Sequence, residues 1–131
     1  MTNWIVTQTT RFKAASSGAS IADLNDLILS EGAEFIVSYF KWPWENRASY
    51  ASHSAITFAD RVTTPLLLQH GEVDPRVPIS GAWKFYRTLK AMGKTVELEV
   101  YPRGGHVLRE PQQQRAQMLR NIDWFARWIR P

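Results

Sequence analysis

Two loop residues stand out as able to do chemistry together. Asp74 lies in "LLLQHGEVDPRVP", and His106 closes "YPRGGH" further along the chain. A carboxylate can hold an imidazole in one tautomer and stabilise its charged form, while the imidazole carries a proton to and from a reacting hydroxyl. Together they suggest the acid–base part of a serine-hydrolase triad, against the alternative of a capping or salt-bridged aspartate and an incidental loop histidine, and the open question is the nucleophile. A hydrolase serine on a strained strand-to-helix turn is read as G-x-S-x-G. The chain has nine serines, and none has glycine at both flanking positions. Ser20, in "GASIA", comes nearest, with Gly18 before it and Ala22 after it, but "SGASIAD" reads equally well as a turn followed by a helix cap. His70 ends an apolar run, where a histidine commonly bonds locally, and a direct catalytic part for it is the weaker alternative. His53 lies in an irregular aromatic stretch.

The elements that must position Asp74 and His106 are legible from Thr63 onward. "PLLLQH" is a short apolar run after a proline, the pattern of a strand buried on both faces of a parallel sheet. "PISGAWKFYRTLKAMG" sets Ala82, Trp83, Tyr86 and Leu89 at helical spacing, reinforced by Phe85 and Met92, with Pro78 near its start and Gly93 past its end. "VELEVY" alternates Val96, Leu98 and Val100 with Glu97, Glu99 and Tyr101, predicting a strand near a sheet edge with one buried and one wet face. "EPQQQRAQMLRNIDWFARWI" predicts a long amphipathic helix with Met118, Ile122, Phe125 and Ile129 on its apolar face. Strand, helix, strand, helix with short connections is a βαβα unit with parallel strands and a right-handed crossover. Asp74 and His106 then both follow the carboxyl ends of strands, on the edge where open α/β sheets build their sites. Gly104 and Gly105 are expected to let a tight turn present the imidazole.

The first sixty residues read less cleanly. "RFKAASSGAS" is a candidate third strand ending in a glycine turn, and "IADLNDLILSEGAEFIVSYF" one or two helices broken near Gly32. "KWPWENRASYASHS" is an aromatic loop with short helical turns, its Trp42 and Trp44 expected to cover the core rather than line a pocket.

Composition narrows the function classes. The 131 residues allow one domain, and 44% hydrophobic with 21% charged residues is ordinary for a globular chain. The net charge of +4 is scattered, with no basic run, which argues against a nucleic-acid partner. With no cysteine and three widely separated histidines, disulfides and thiolate or H-E-x-x-H metal sites are excluded, and no metal or cofactor is expected. No apolar run approaches the roughly 20 residues of a membrane span, and no signal-peptide pattern opens the chain, so a cytoplasmic location without a membrane partner is the expectation.

The pieces "RFKAA", "PWEN", "TPLLLQHGEVDPRVP", "FYRTLKAMG", "VYPRGGH" and "NIDWFARWI" resemble, in order and over nearly the whole chain, the carboxyl-terminal part of the prolyl oligopeptidase family's catalytic domain. Its acylaminoacyl-peptidase and dipeptidyl-peptidase-like branches are the most similar. The resemblance implies the C-terminal portion of an α/β-hydrolase fold, about three mostly parallel strands packed with helices. It maps the triad aspartate and histidine onto Asp74 and His106, and puts Val77 beside a specificity pocket or in simple packing. It also likens "MTNW" to the helix just after the family's G-x-S-x-G-G-Y elbow. Residues 1–131 are therefore expected to be a partial peptidase domain lacking that elbow and the earlier strands. Such a chain would hydrolyse peptide or acyl-ester substrates, through an acyl-serine, only if a serine is supplied. The alternatives are a self-associating or partner-binding module and one chain of a split hydrolase. An unpaired sheet edge and uncovered apolar faces predict a homo-oligomer.

Overall fold

The structure, a computed structural model, describes residues 1–129. Ala15–Gly18, Leu66–Gly71 and Val96–Tyr101 form strands β1, β2 and β3 of one sheet, ordered β1-β2-β3. Both pairings are parallel, with Leu66 opposite Ala15 on one side and Val96 on the other, and Gly71 opposite Tyr101. The described helices are α1 (Thr2–Gln8), α2 (Ala33–Phe40), α3 (Arg47–His53), α4 (Ile79–Ala91) and α5 (Pro111–Ile129). Two 3-10 segments, Leu24–Leu29 and Ala55–Arg61, join them. No described helix is long and apolar enough to cross a membrane.

The leucine run is continuous because both faces of β2 are covered. Side chains alternate along a strand, so Leu66 and Leu68 face one layer and Leu67 the other. The first pair packs with Val6, Phe85, Leu89 and Val96, and Leu67 packs with Ala14 and Trp124. Every residue of β2 is buried. Helix α4 lays Ala82, Phe85 and Leu89 on the sheet, while Trp83 and Met92 stay largely exposed. It ends where Gly93 turns left-handed at φ 69°, with Gly93 N bonding Lys90 O at 3.0 Å and Lys94 N bonding Leu89 O at 2.9 Å. That pair of bonds caps the last helical carbonyls.

Two expectations of facing are corrected. The side of β3 that reads as wet is partly covered: Glu97 pairs with Arg120 and Arg127 of α5 but stays half-buried, and Tyr101 is buried, its hydroxyl donating to Gln69 Oε1 at 2.5 Å. Of the apolar face expected for helix α5, only Phe125 packs on the core, beside Trp124 and Trp128. Trp124 is fully buried and donates from Nε1 to Ala15 O at 3.0 Å, whereas Met118, Ile122 and Ile129 are exposed. Trp124 seats the helix on β1 and β2, while Arg120 and Arg127 pair with the glutamates of β3.

In the first part of the chain β1 is present, but the left-handed residue after it is Ala19, at φ 45°, rather than a glycine. The break near Gly32 separates the first 3-10 segment from α2. Trp42 and Trp44 stack on each other, centroids 4.9 Å apart, and both are exposed, so they do not cover the core.

Candidate active site

The loops after β2 and β3 are laced together by backbone bonds apart from Asp74 and His106. Glu72 N donates to Tyr101 O at 2.9 Å, Val73 N to Gly104 O at 2.9 Å, and Arg103 N to the Glu72 carboxylate at 2.9 Å. The His-bearing turn takes its left-handed step at Arg103, φ 58°, not at its glycines. The glycines matter for room instead. A Cβ on Gly104 would sit 2.7 Å from Leu108, and one on Gly71 would sit 2.3 Å from Gly105 O.

This lacing brings Asp74 and His106 together. His106 Nδ1 lies 2.9 Å from Asp74 Oδ2. The aspartate side chain is fully buried and the imidazole about a third exposed (34%). The other aspartate oxygen, Oδ1, accepts from Arg76 N at 2.9 Å and Val77 N at 3.0 Å, so the "DPRV" turn wraps its own carboxylate. A buried carboxylate needs such donors, and charge-assisted bonds of this kind contribute about 1.5–3 kcal/mol each. With Nδ1–H donating to Asp74, the lone pair of His106 is on Nε2. That is the arrangement in which an imidazole can take a proton from a hydroxyl. An open groove of about 450 Å³ adjoins the ring, lined by Glu31, Arg76, Arg103, Arg109 and Glu110 among others.

The other candidates are placed elsewhere. Ser20 is buried at the end of β1, its Oγ accepting from Asn3 Nδ2 at 2.7 Å, and no hydrogen bond among the described residues joins it to His106. His70 is also buried, with Nδ1 accepting from Ser20 N at 3.1 Å and Nε2 2.9 Å from Val77 O. His53 bonds Ser49 O of its own helix and packs between Trp4 and Phe40. Val77 packs with Leu27, Ile36 and Tyr50. Among the described residues, no cluster of three or more His, Asp or Glu side chains could hold a metal ion. Sequence reasoning missed Gly71 as the residue that lets the two loops touch. Its signal was the glycine closing a buried strand, three residues before the aspartate.

A parallel α/β sheet with this pair on the loops after adjacent strands is the carboxyl-terminal part of an α/β-hydrolase fold. The family model for the prolyl oligopeptidase family (Peptidase_S9) matches residues 1–131, and the chain belongs to that family. The "Uncharacterized peptidase YuxL" of Bacillus subtilis (strain 168) is 35% identical over 98% of this chain, which covers 20% of that protein. The acylamino-acid-releasing enzyme of Sus scrofa is 36% identical over 60% of this chain and 11% of its own length. Among solved structures, the uncomplexed acylaminoacyl peptidase of Pyrococcus horikoshii superposes with a TM-score of 0.89 at 30% identity, over 98% of this chain and 22% of that one. The chain thus spans about a fifth of the length of YuxL and of that solved peptidase.

Proposed function

We propose that these residues supply the aspartate and histidine of a serine-peptidase triad, Asp74 and His106, and that the hydroxyl they serve lies outside the 131 residues. The observation that carries this reading is the 2.9 Å contact between His106 Nδ1 and a buried, doubly anchored Asp74 carboxylate. The missing elbow and the sequestered Ser20 support the second half of it. In this reading His106 Nε2 takes the serine proton as the hydroxyl attacks an acyl carbonyl, and returns it to the leaving amine or alkoxide. Asp74 holds the tautomer and balances the imidazolium. Acylated peptides are the proposed substrate class, after the acylamino-acid-releasing relatives. Without its nucleophile a triad loses on the order of a million-fold in kcat, so the chain alone is expected to be inert.

The test compares hydrolysis of acyl p-nitrophenyl esters by this chain and by a version extended at its amino end with a G-x-S-x-G-G-Y elbow and the strand before it. The chain alone should show neither turnover nor fluorophosphonate labelling. The extended version should show both, and lose turnover with His106→Ala. Labelling of the 131 residues themselves, lost with Ser20→Ala, would put the nucleophile back inside this chain.

A second reading, self-association, has its own support. Strand β1 borders β2 alone among the described strands, beside an apolar groove of about 220 Å³ lined by Ile5, Val6, Phe12 and Ala14. The exposed Met118, Leu119, Ile122 and Ile129 add a second apolar face. We propose a dimer of this chain through the β1 edge. Sedimentation at micromolar concentration reads it, and a monomer would exclude it.

A further inference from the structure

We propose that His70 is a positioning residue for Asp74, acting as a neutral strut between the end of β1 and the aspartate turn. Its side chain is fully buried, and the proton transfers assigned above make no use of it. The hydrogen bonds define its state. Nδ1 accepts the Ser20 backbone N–H at 3.1 Å and so carries no proton, which puts the ring proton on Nε2. Nε2–H then donates to Val77 O at 2.9 Å. Val77 is held from both sides, because its own N–H donates to Asp74 Oδ1 at 3.0 Å. The same Nε2 lies 3.6 Å from Asp74 Oδ2, too far for a hydrogen bond but close enough for its N–H dipole to favour the carboxylate charge. Oδ2 is the atom that meets His106.

A residue that fixes the peptide unit supporting a catalytic carboxylate, and that is itself braced by the backbone just past a different strand, limits how far Oδ2 can turn from the imidazole. Precision of this kind comes from the groups behind those that react. His70 also ties the conformation after β1 to the pair, so a change at Ser20 would reach His106 through the imidazole. The inference rests on the reading of Asp74 and His106 as the triad pair, but its geometry can be tested separately.

The experiment is long-range ¹H–¹⁵N correlation on the histidines of the full chain at neutral to alkaline pH. In the parent, His70 should be protonated on Nε2 and bare on Nδ1, and His106 protonated on Nδ1. His70→Gln can reach the Nε2 position and keep a donor for Val77 O, so the His106 Nδ1–H signal should persist. His70→Asn reaches only the Nδ1 position, leaves Val77 O without its donor, and should lose that signal to the Nε2–H form. A purely structural role would lower the stability of both variants and leave the His106 signal alone, which would overturn the proposal. Should His70→Asn not fold, Asp74→Asn gives the reciprocal reading. Removing the charge should shift the His70 Nε2–H resonance, and an unmoved resonance would count against the strut. A parent His70 bare on Nε2 defeats this inference only, whereas a parent His106 protonated on Nε2 defeats the triad reading as well.

Discussion

Gly71→Ala adds one methyl group at the point where the loops carrying Asp74 and His106 touch, and its effect can be worked out from the contacts. The new Cβ would stand 2.3 Å from Gly105 O, 2.4 Å from Gly104 O and 2.6 Å from Gly104 C. All three are backbone atoms, so no flexible side chain can step aside. Ordinary contact begins at 3.4 Å, and the segment bearing His106 must retreat by roughly 1 Å. Alanine would restrict the unfolded chain and so favour folding by about 0.4–1 kcal/mol. Overpacking costs about 1–3 kcal/mol, so the steric effect wins and the net loss should be roughly 1–2 kcal/mol. A displacement of that size also stretches the 2.9 Å contact between Asp74 and His106 beyond hydrogen-bonding range. Urea unfolding with an unchanged slope measures the first effect, and the His106 Nδ1–H resonance the second. Gly93→Ala is the control. Its backbone is left-handed with open space around the site, so a comparable loss of about 1 kcal/mol should leave the resonance in place. Parental stability together with an intact His106 signal in Gly71→Ala would refute the reasoning.

Three further outcomes are expected. Trp124→Phe keeps most of the buried ring but leaves Ala15 O without its donor, which should cost about 1–3 kcal/mol in urea unfolding and reduce the near-ultraviolet dichroism. Burial, with the Glu99 charge adding, pushes the Tyr101 hydroxyl up to about 12 from 10.0, so its contribution to stability is whole below pH 10 and lost as pH rises toward 12; Tyr101→Phe should flatten that alkaline limb of the melting curve. Burial alone would raise the Glu97 carboxyl, but hydrogen bonds from Arg120 and Arg127 and their charges hold it below its ordinary value of 4.5; the stability it adds is present above that value and lost as pH falls through the lowered one, so Glu97→Gln should weaken the acid dependence of the melting temperature.

What the sequence by itself determined was whatever local pattern controls. An unbroken leucine run requires cover on both faces, a Pro–Gly frame marks the ends of α4, and two strand-to-helix loops in a βαβα unit must open on the same sheet edge. The meeting of Asp74 and His106 followed from that edge rule, and the family from the order of short motifs. Facing was harder to read, because it depends on which neighbour arrives. The glutamates and Tyr101 of β3 read as solvent-facing until α5 laid Arg120 and Arg127 against the glutamates, and most of the apolar row of α5 stayed outside. Tertiary structure alone decided that His70 links Ser20 to Val77, and that Gly71 must lack a side chain. Both depend on backbone segments far apart in the chain approaching within a few ångströms. One-dimensional periodicity carries no distance between such segments, so only the packed sheet could set them.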